Sequence, residues 1–376
     1  MASRVTKDDL PRFDGPRALG SSEHHSALKL LNSVLRPEGQ SNIEEEYPLV
    51  LSERNRENMR VIVRAGEVVS HAAIYFSELR SGGLTFRVGG IGSVATHPAY
   101  RGRGLASAVL RDCLRIMREN RCHLSVLWTQ RMDFYRPLGY ELAGSEFLFR
   151  VRMSDFMRIP CSCKVIPFSP QYLPAIKTIH ERESLRTLRT SEEYEAYFRL
   201  PKATTLLAVK DDAVTAYAIM GKGEDFRYCI HEWGGDTNDL LCLVREFAIA
   251  SAIKEVLVLS PVAENPLARR FRQMQLPRTF EYLAMMCVTD IEGVSTLVRD
   301  HVRERIGKDF RVSEEESGVR ICVGSEHAIV HPRTLVRLLF GPDSASSLLP
   351  SLAPDTRRSL EKAFPIPLFI WGLDSV

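Results

Sequence analysis

Residues 94–106 read Val-Ala-Thr-His-Pro-Ala-Tyr-Arg-Gly-Arg-Gly-Leu-Ala and limit more than any other stretch what this chain can fold into. A β-type run from Gly92 to Thr96 enters a turn at Pro98. The chain then passes through Arg101-Gly102-Arg103-Gly104 into a helix expected to begin near Leu105. Leu105, Val109, Leu110, Leu114 and Met117 fall on one face of that helix. Strand, glycine loop and helix in this order form a device for holding phosphates. Glycine lets the backbone come close, free N–H groups of the first helical turn point at the anion, and the helix dipole favours negative charge.

Three phosphate loops can be compared with this one. A Walker loop ends in Gly-Lys-Ser/Thr, whereas Gly104 is followed by Leu105-Ala106. A dinucleotide fingerprint needs a third glycine where this chain has Ser107, and it opens a βαβ unit rather than following long preceding structure. The third pattern, Arg/Gln-x-x-Gly-x-Gly/Ala, is met at every fixed place by Arg101-Gly102-Arg103-Gly104-Leu105-Ala106. Downstream come an expected strand, Leu124–Trp128, and the segment Asp133-Phe134-Tyr135-Arg136-Pro137-Leu138-Gly139-Tyr140.

Loop, helix, strand and tyrosine segment in this order resemble the GCN5-related N-acetyltransferases (GNAT superfamily). The resemblance implies acetyl-CoA as co-substrate. Backbone groups of Gly102 to Ser107, including Gly104, Leu105 and Ala106, would hold its pyrophosphate, with charge from Arg101 or Arg103. Val94, Ala95 and Thr96 would pair with the pantetheine arm like an added strand, and Gln130 is placed in the same coenzyme-binding set. Tyr135 is the expected proton donor to the leaving thiolate. A phenol of pKa about 10 is neutral near pH 7 and can donate as a thiolate of pKa about 8.5 forms. Tyr140 is its rival, expected instead to begin the next strand and lie in the core.

Composition sets the outer limits. A chain of 376 residues can hold two or three domains. With 44% hydrophobic and 26% charged residues it reads as an ordinary globular protein. A net charge of +3 gives no overall drive toward nucleic acid, so Arg101, Arg103 and Arg111 act as a local basic feature. No apolar run is long enough for a membrane span, and Met1 to Arg17 lacks an apolar secretion core, so a cytoplasmic location is expected. The eight cysteines are scattered, and only Cys161-x-Cys163 is close, without the second pair of a zinc site. Reduced thiols and no metal are therefore expected.

Along the chain, residues 23–35 read as a helix, and Met59–Val63, Val68–Phe76 and Leu84–Thr96 as successive strands with turns at Ala65-Gly66-Glu67 and Ser81-Gly82-Gly83. Two closing strands are expected near 140–143 and 146–152. The order repeats weakly over 163–289, with helices at Gln171–Glu183, Thr237–Ala252 and Asn265–Met274. Its strands are expected at Thr205–Val209, Ala213–Met220, Tyr228–Trp233, Glu255–Leu259 and Tyr282–Val288. Where the loop should recur, this copy has Glu232-Trp233-Gly234-Gly235-Asp236-Thr237-Asn238, whose two acids would repel a pyrophosphate. The last region combines a basic helix (Val294–Arg305), strands Val319–Val323 and Glu326–Val330, helical segments Pro332–Leu339 and Pro354–Phe364, and an apolar tail from Ile366 to Val376.

The expected fold class is α+β (mixed α/β). Residues 1–155 would be the active domain, 156–289 a degenerate second copy, and 290–376 a small sterol-carrier-like domain whose tail reaches toward the active site. As a whole this resembles the Eis (enhanced intracellular survival) type of acetyltransferase. That resemblance implies acetyl transfer to a primary amine by direct attack in a ternary complex, a homo-oligomer such as a hexamer, and the carboxylate of Val376 as base, with Asp374 an alternative. The acceptor class would be a polyamine, an aminoglycoside or a lysine. Glu44-Glu45-Glu46 reads as a solvated face, His24-His25 as a surface pair near the acceptor cleft, and His180-Glu181-Arg182-Glu183 as an exposed helix end. A non-catalytic acyl-CoA-binding or assembly module is the competing function.

Overall fold

A computed structural model describes residues 12–39, 41–156, 161–250 and 254–376. The chain divides into two compact units, one of residues up to 76 with 89–120 and 376, the other of 77–88 with 121–375. The first holds β1 (Asp14–Ala18), α1 (His24–Leu35), α2 (Ile43–Glu46), β2 (Met59–Arg64), most of β3 (Glu67–Ser81), the later part of β4 (Leu84–Thr96) and α3 (Leu105–Glu119). Its strands lie in the order β1-β2-β3-β4. The 3.6-residue repeat of α3 buries Leu105, Val109, Leu110, Cys113, Leu114 and Met117, and this face packs on β1 and β2. Asp112, on the same helix, is buried and takes a 2.6 Å bond from the Arg60 guanidinium on β2. A second layer closes the other side of the sheet, where Ala27, Leu30 and Leu31 of α1 join Val61, Val63, Val68, Ala73 and Ala95.

The second unit begins with β5 (Leu124–Leu127), α4 (Met132–Tyr135), β6 (Glu141–Ala143), β7 (Glu146–Arg152), α5 (Met153–Phe156), β8 (Lys164–Pro167), α6 (Leu173–His180), β9 (Leu185–Thr187) and α7 (Ser191–Tyr197). It continues with β10 (Thr204–Lys210), β11 (Ala213–Lys222), β12 (Asp225–Gly235), α8 (Thr237–Ala250), β13 (Glu255–Pro261), α9 (Pro266–Gln273), β14 (Arg278–Glu281) and β15 (Ala284–Val288). The last stretch is α10 (Ile291–Ile306), β16 (Phe310–Glu315), β17 (Gly318–Val323), β18 (Glu326–Val330), α11 (Pro332–Phe340), α12 (Ala345–Leu348) and α13 (Pro354–Leu360). Seven strands form a sheet in the order β14-β7-β13-β12-β11-β10-β8, and β16-β17-β18 form a third, small sheet. The whole is a mixed α/β fold. No helix among the described residues is long and apolar enough to cross a membrane.

Two strands depart from the expected closure. Residues 146–152, expected to end the first sheet, form β7 and pair with β13 and β14 in the seven-stranded sheet. Their place is taken by β15, which runs between β5 and β6. The side chains account for the exchange. Phe149 of β7 is buried edge-on against Phe271 of α9, with ring centroids 5.0 Å apart. Ala284, Met285, Met286 and Cys287 are buried in succession, as an interior strand covered on both faces requires.

Other expectations need local correction. His180 is not exposed; it is buried, with Nδ1 2.7 Å from the Tyr194 hydroxyl. Of the acidic run, only Glu45 is exposed, and Glu46 is buried against the Arg36 guanidinium. The apolar tail runs without strand pairing into a single turn at Gly372–Asp374, with Ile366, Leu368, Phe369, Ile370 and Trp371 all buried. It is held by polar groups instead. Trp371 Nε1 donates to the Leu185 carbonyl at 3.0 Å, and buried Lys222 donates to the carbonyls of Gly372 and Leu373 at 3.1 and 3.2 Å. Burial pushes the Lys222 ammonium down to about 8. The expected helix end at Ala252 lies outside the described residues.

Three buried imidazoles make the fold sensitive to acid. Burial lowers His71 from the ordinary 6.5 to about 4, His231 to about 3 and His180 to about 2. The unfolded chain therefore takes up protons first as pH falls, so stability is full above 6.5 and declines below it. At pH 5 each should cost about 2 kcal/mol. Thermal melting between pH 7 and 5 should show a falling midpoint; a flat one would mean that these imidazoles are not buried neutral.

Candidate active site

The later part of β4 is shaped by glycines that neighbouring atoms crowd. A Cβ at Gly89 would come within 2.5 Å of Met117 Cε, and one at Gly90 within 2.5 Å of Val376 Cγ2. At Gly92 it would lie 2.9 Å from the carbonyl carbon of Val376. Val376 therefore lies against a strip of bare backbone that any larger residue would close. Directly after the strip, Ser93 takes φ +52°, a left-handed conformation that a serine rarely adopts and that kinks the strand. The carbonyl of Ser93 accepts a 2.8 Å bond from Nδ1–H of His71 on β3. Since a carbonyl only accepts, the His71 proton sits on Nδ1. Its Nε2 is buried and has no hydrogen-bond partner among the described residues. His71 is a site residue that the sequence reading missed, its one signal being an imidazole inside the apolar run of β3.

Beyond the kink, Val94 and Thr96 are half-buried and Ala95 is buried. The Thr96 hydroxyl is 2.9 Å from that of Ser70, which fixes the strand end to β3. A single turn follows at Pro98–Tyr100, capped by His97 Nδ1, which accepts from the Ala99 N–H at 3.2 Å. Arg101 Nε then donates back to the Thr96 carbonyl at 3.2 Å. Gly102 and Gly104 take φ +76° and +75°, and a Cβ at either would meet nothing within 4 Å. These glycines are therefore required for the shape of the loop, and open space lies beside each. Gly104 is the N-cap of α3, and the first intrahelical bond runs from the Ala108 N–H to the Gly104 carbonyl. The N–H groups of Leu105, Ala106 and Ser107 precede that bond and are the donors a helix start leaves without intrahelical partners. Arg101 and Arg103 are exposed beside them, Arg103 over the Tyr100 ring at 5.7 Å. Donors, dipole and cations thus gather at the start of α3, an arrangement that favours an anion.

Gln130 and Tyr135 belong to the other unit. Gln130 is exposed in the bend between β5 and α4. Tyr135 closes α4, is 7% exposed, and meets Phe134 and Tyr140 edge-on at 4.9 and 5.9 Å. Burial raises its phenol above the ordinary value. The two tyrosines differ in their hydroxyls. That of Tyr140 is engaged with Ser125 Oγ at 2.6 Å, whereas that of Tyr135 has no hydrogen-bond partner among the described residues. Asp374 is no free carboxylate, because both its oxygens accept from Arg189 at 2.7 Å. In the segment where the sequence suggested a repeat of the loop, Glu232 is likewise buried against Arg189, and Asp236 caps α8 through the N–H groups of Asn238 and Asp239.

Residues 16–143 match the family model described as an acetyltransferase (GNAT) domain. Among curated proteins, no sequence matches. The fold is shared with a conserved protein of unknown function from Enterococcus faecalis, described as a probable N-acyltransferase, at TM-score 0.70 and 14% identity over 96% of this chain and 98% of that one. It is shared with a GCN5-related N-acetyltransferase from Kribbella flavida at TM-score 0.67 and 15% identity over 99% and 100% of the two chains. Eis1 from Mycobacterium abscessus superposes at TM-score 0.65 and 14% identity, covering 97% of this chain and 100% of that one.

Proposed function

We propose that the chain, whose residues 16–143 match the acetyltransferase (GNAT) domain model, is an N-acetyltransferase that transfers acetyl from acetyl-CoA to a primary amine by direct attack in a ternary complex. The observation that carries this reading is the loop with left-handed Gly102 and Gly104 opening onto the start of α3. In the proposal, the N–H groups of Gly102 to Ser107 hold the pyrophosphate, with Arg101 and Arg103 adding charge. Val94, Ala95 and Thr96 pair with the pantetheine arm, and Gln130 contributes to the same coenzyme site. The neutral amine adds to the thioester carbonyl, the C–S bond breaks, and Tyr135 gives its proton to the departing sulfur. The carboxylate of Val376 accepts the proton that the amine loses.

The acceptors we propose are polyamines, aminoglycosides and lysine side chains. The proposal extends to a cytoplasmic homo-oligomer, to residues 156–289 as a degenerate second copy, and to 290–376 as a sterol-carrier-like domain. Extending the chain by a few residues beyond Val376 tests the base. Acetyl-CoA binding by calorimetry should persist while turnover falls by about 100-fold, within the range for a general base. Equal turnover of the extended and unextended chains would remove Val376 from the mechanism.

A further inference from the structure

Three of the eight cysteines, scattered in sequence, meet in space within the second unit. Cys161 and Cys163 lie on the segment leading into β8, and Cys242 lies on α8. The Cys242 thiol is adjacent to both Cys161 and Cys163. Cys161 also takes a bond from Arg245 Nη1 at 3.6 Å, one turn along the same helix from Cys242. The three differ in access: Cys161 and Cys163 are half-buried, whereas Cys242 is 1% exposed. Burial raises the Cys242 thiol, so it keeps its proton. Of the other five, Cys113, Cys122, Cys229 and Cys287 are buried and Cys322 is half-buried.

We propose that Cys161, Cys163 and Cys242 form a peroxide-sensitive thiol site that closes to a Cys161–Cys242 disulfide. Hydrogen peroxide, or another two-electron peroxide, is the oxidant. The sulfur of Cys161 attacks one peroxide oxygen, the O–O bond breaks, and Cys161 sulfenic acid and water result. The guanidinium of Arg245 faces the sulfur that makes this attack. The Cys242 sulfur then displaces the hydroxyl of the sulfenic acid. The S–S bond forms, the S–O bond breaks, and the hydroxyl leaves as water with the Cys242 proton. Two electrons pass from the sulfur pair to the peroxide. Cys163 keeps its thiol and can reopen the bridge by exchange. Closure fastens the segment before β8, the edge strand of the seven-stranded sheet, to α8. The site is independent of acetyl transfer.

The test is to treat the full chain with hydrogen peroxide, alkylate the remaining thiols, digest without reduction and identify linked peptides by mass spectrometry. The expected result is a peptide containing Cys161 joined to one containing Cys242, the loss of two titratable thiols from eight, and full recovery with dithiothreitol. In Cys161→Ser, at a half-exposed position that folding should tolerate, the link should be absent, while Cys322→Ser should retain it. Eight intact thiols after peroxide, a Cys161–Cys163 link in place of the expected one, or irreversible oxidation confined to Cys322 would each overturn the proposal.

Discussion

Tyr135→Phe should lower turnover by about 10- to 100-fold while leaving acetyl-CoA affinity and the melting temperature unchanged. The substitution removes one oxygen from a ring that is buried and packed edge-on between Phe134 and Tyr140, so the packing is kept. No protein hydrogen bond to that oxygen is lost among the described residues, which is why stability should not move. The loss falls on proton donation. General acids contribute about 10²- to 10⁴-fold, and a thiolate is a better leaving group than an alkoxide, which places this reaction at or below the lower end. Burial raises the phenol further, so it stays protonated well above neutral pH. Tyr140→Phe should behave in the opposite way. Its hydroxyl is bonded to Ser125 inside the core, so the change should cost stability and spare turnover. Steady-state kinetics of both variants, with calorimetric titration of acetyl-CoA, separate the two roles. Unchanged turnover in Tyr135→Phe would exclude that residue as the acid.

Arg189→Met should cost about 3–5 kcal/mol of stability, the usual price of breaking a buried ion pair by removing one partner. The Arg189 side chain is 0% exposed and lies between two carboxylates. It donates to Glu232 at 2.8 and 2.6 Å and to Asp374 at 2.7 Å through two separate nitrogens. Its guanidinium also lies over the rings of Tyr194 and Tyr197, at 5.6 and 5.1 Å. Those two acids hold its charge well above the ordinary arginine range, despite complete burial. Without it, two buried carboxylates face one another, and one must take up a proton. Arg189→Lys should recover only part of the loss, because an ammonium cannot make the forked contact with either acid. Arg189→Met combined with Glu232→Gln should be more stable than Arg189→Met alone. Thermal and urea denaturation would show this, and a change under about 1 kcal/mol in the single variant would contradict the burial of the triad.

What could be read in the sequence follows the range of the interactions involved. The bounds of β4 at Leu84–Thr96 and the start of α3 at Leu105 were legible because local rules set them. These rules are hairpin glycines, a proline turn, and an apolar repeat that begins where the loop ends. The loop itself was legible because its two glycines each serve a backbone angle that other residues resist. The exchange of β7 and β15 was not, since each strand pairs with a segment over a hundred residues away, as Met285 does with Leu127. An alternating run shows that a face is buried but not which sheet covers it. Buried polar residues were misread for a related reason. The sequence shows charge at Glu46, Glu232 and Asp374, but the guanidiniums that neutralise them come from Arg36 and Arg189. His71 escaped notice because its partner is a backbone carbonyl, that of Ser93, which takes a left-handed φ.

The most direct measurement is amine-dependent release of coenzyme A, followed with a thiol reagent, from acetyl-CoA and a panel of polyamines, aminoglycosides and lysine peptides. Wild type and Tyr135→Phe would be run side by side. The account predicts release that rises with one class of amine in the wild type and falls sharply in the variant. Acetyl-CoA binding without release for any amine would contradict it and leave a binding module in place of an enzyme.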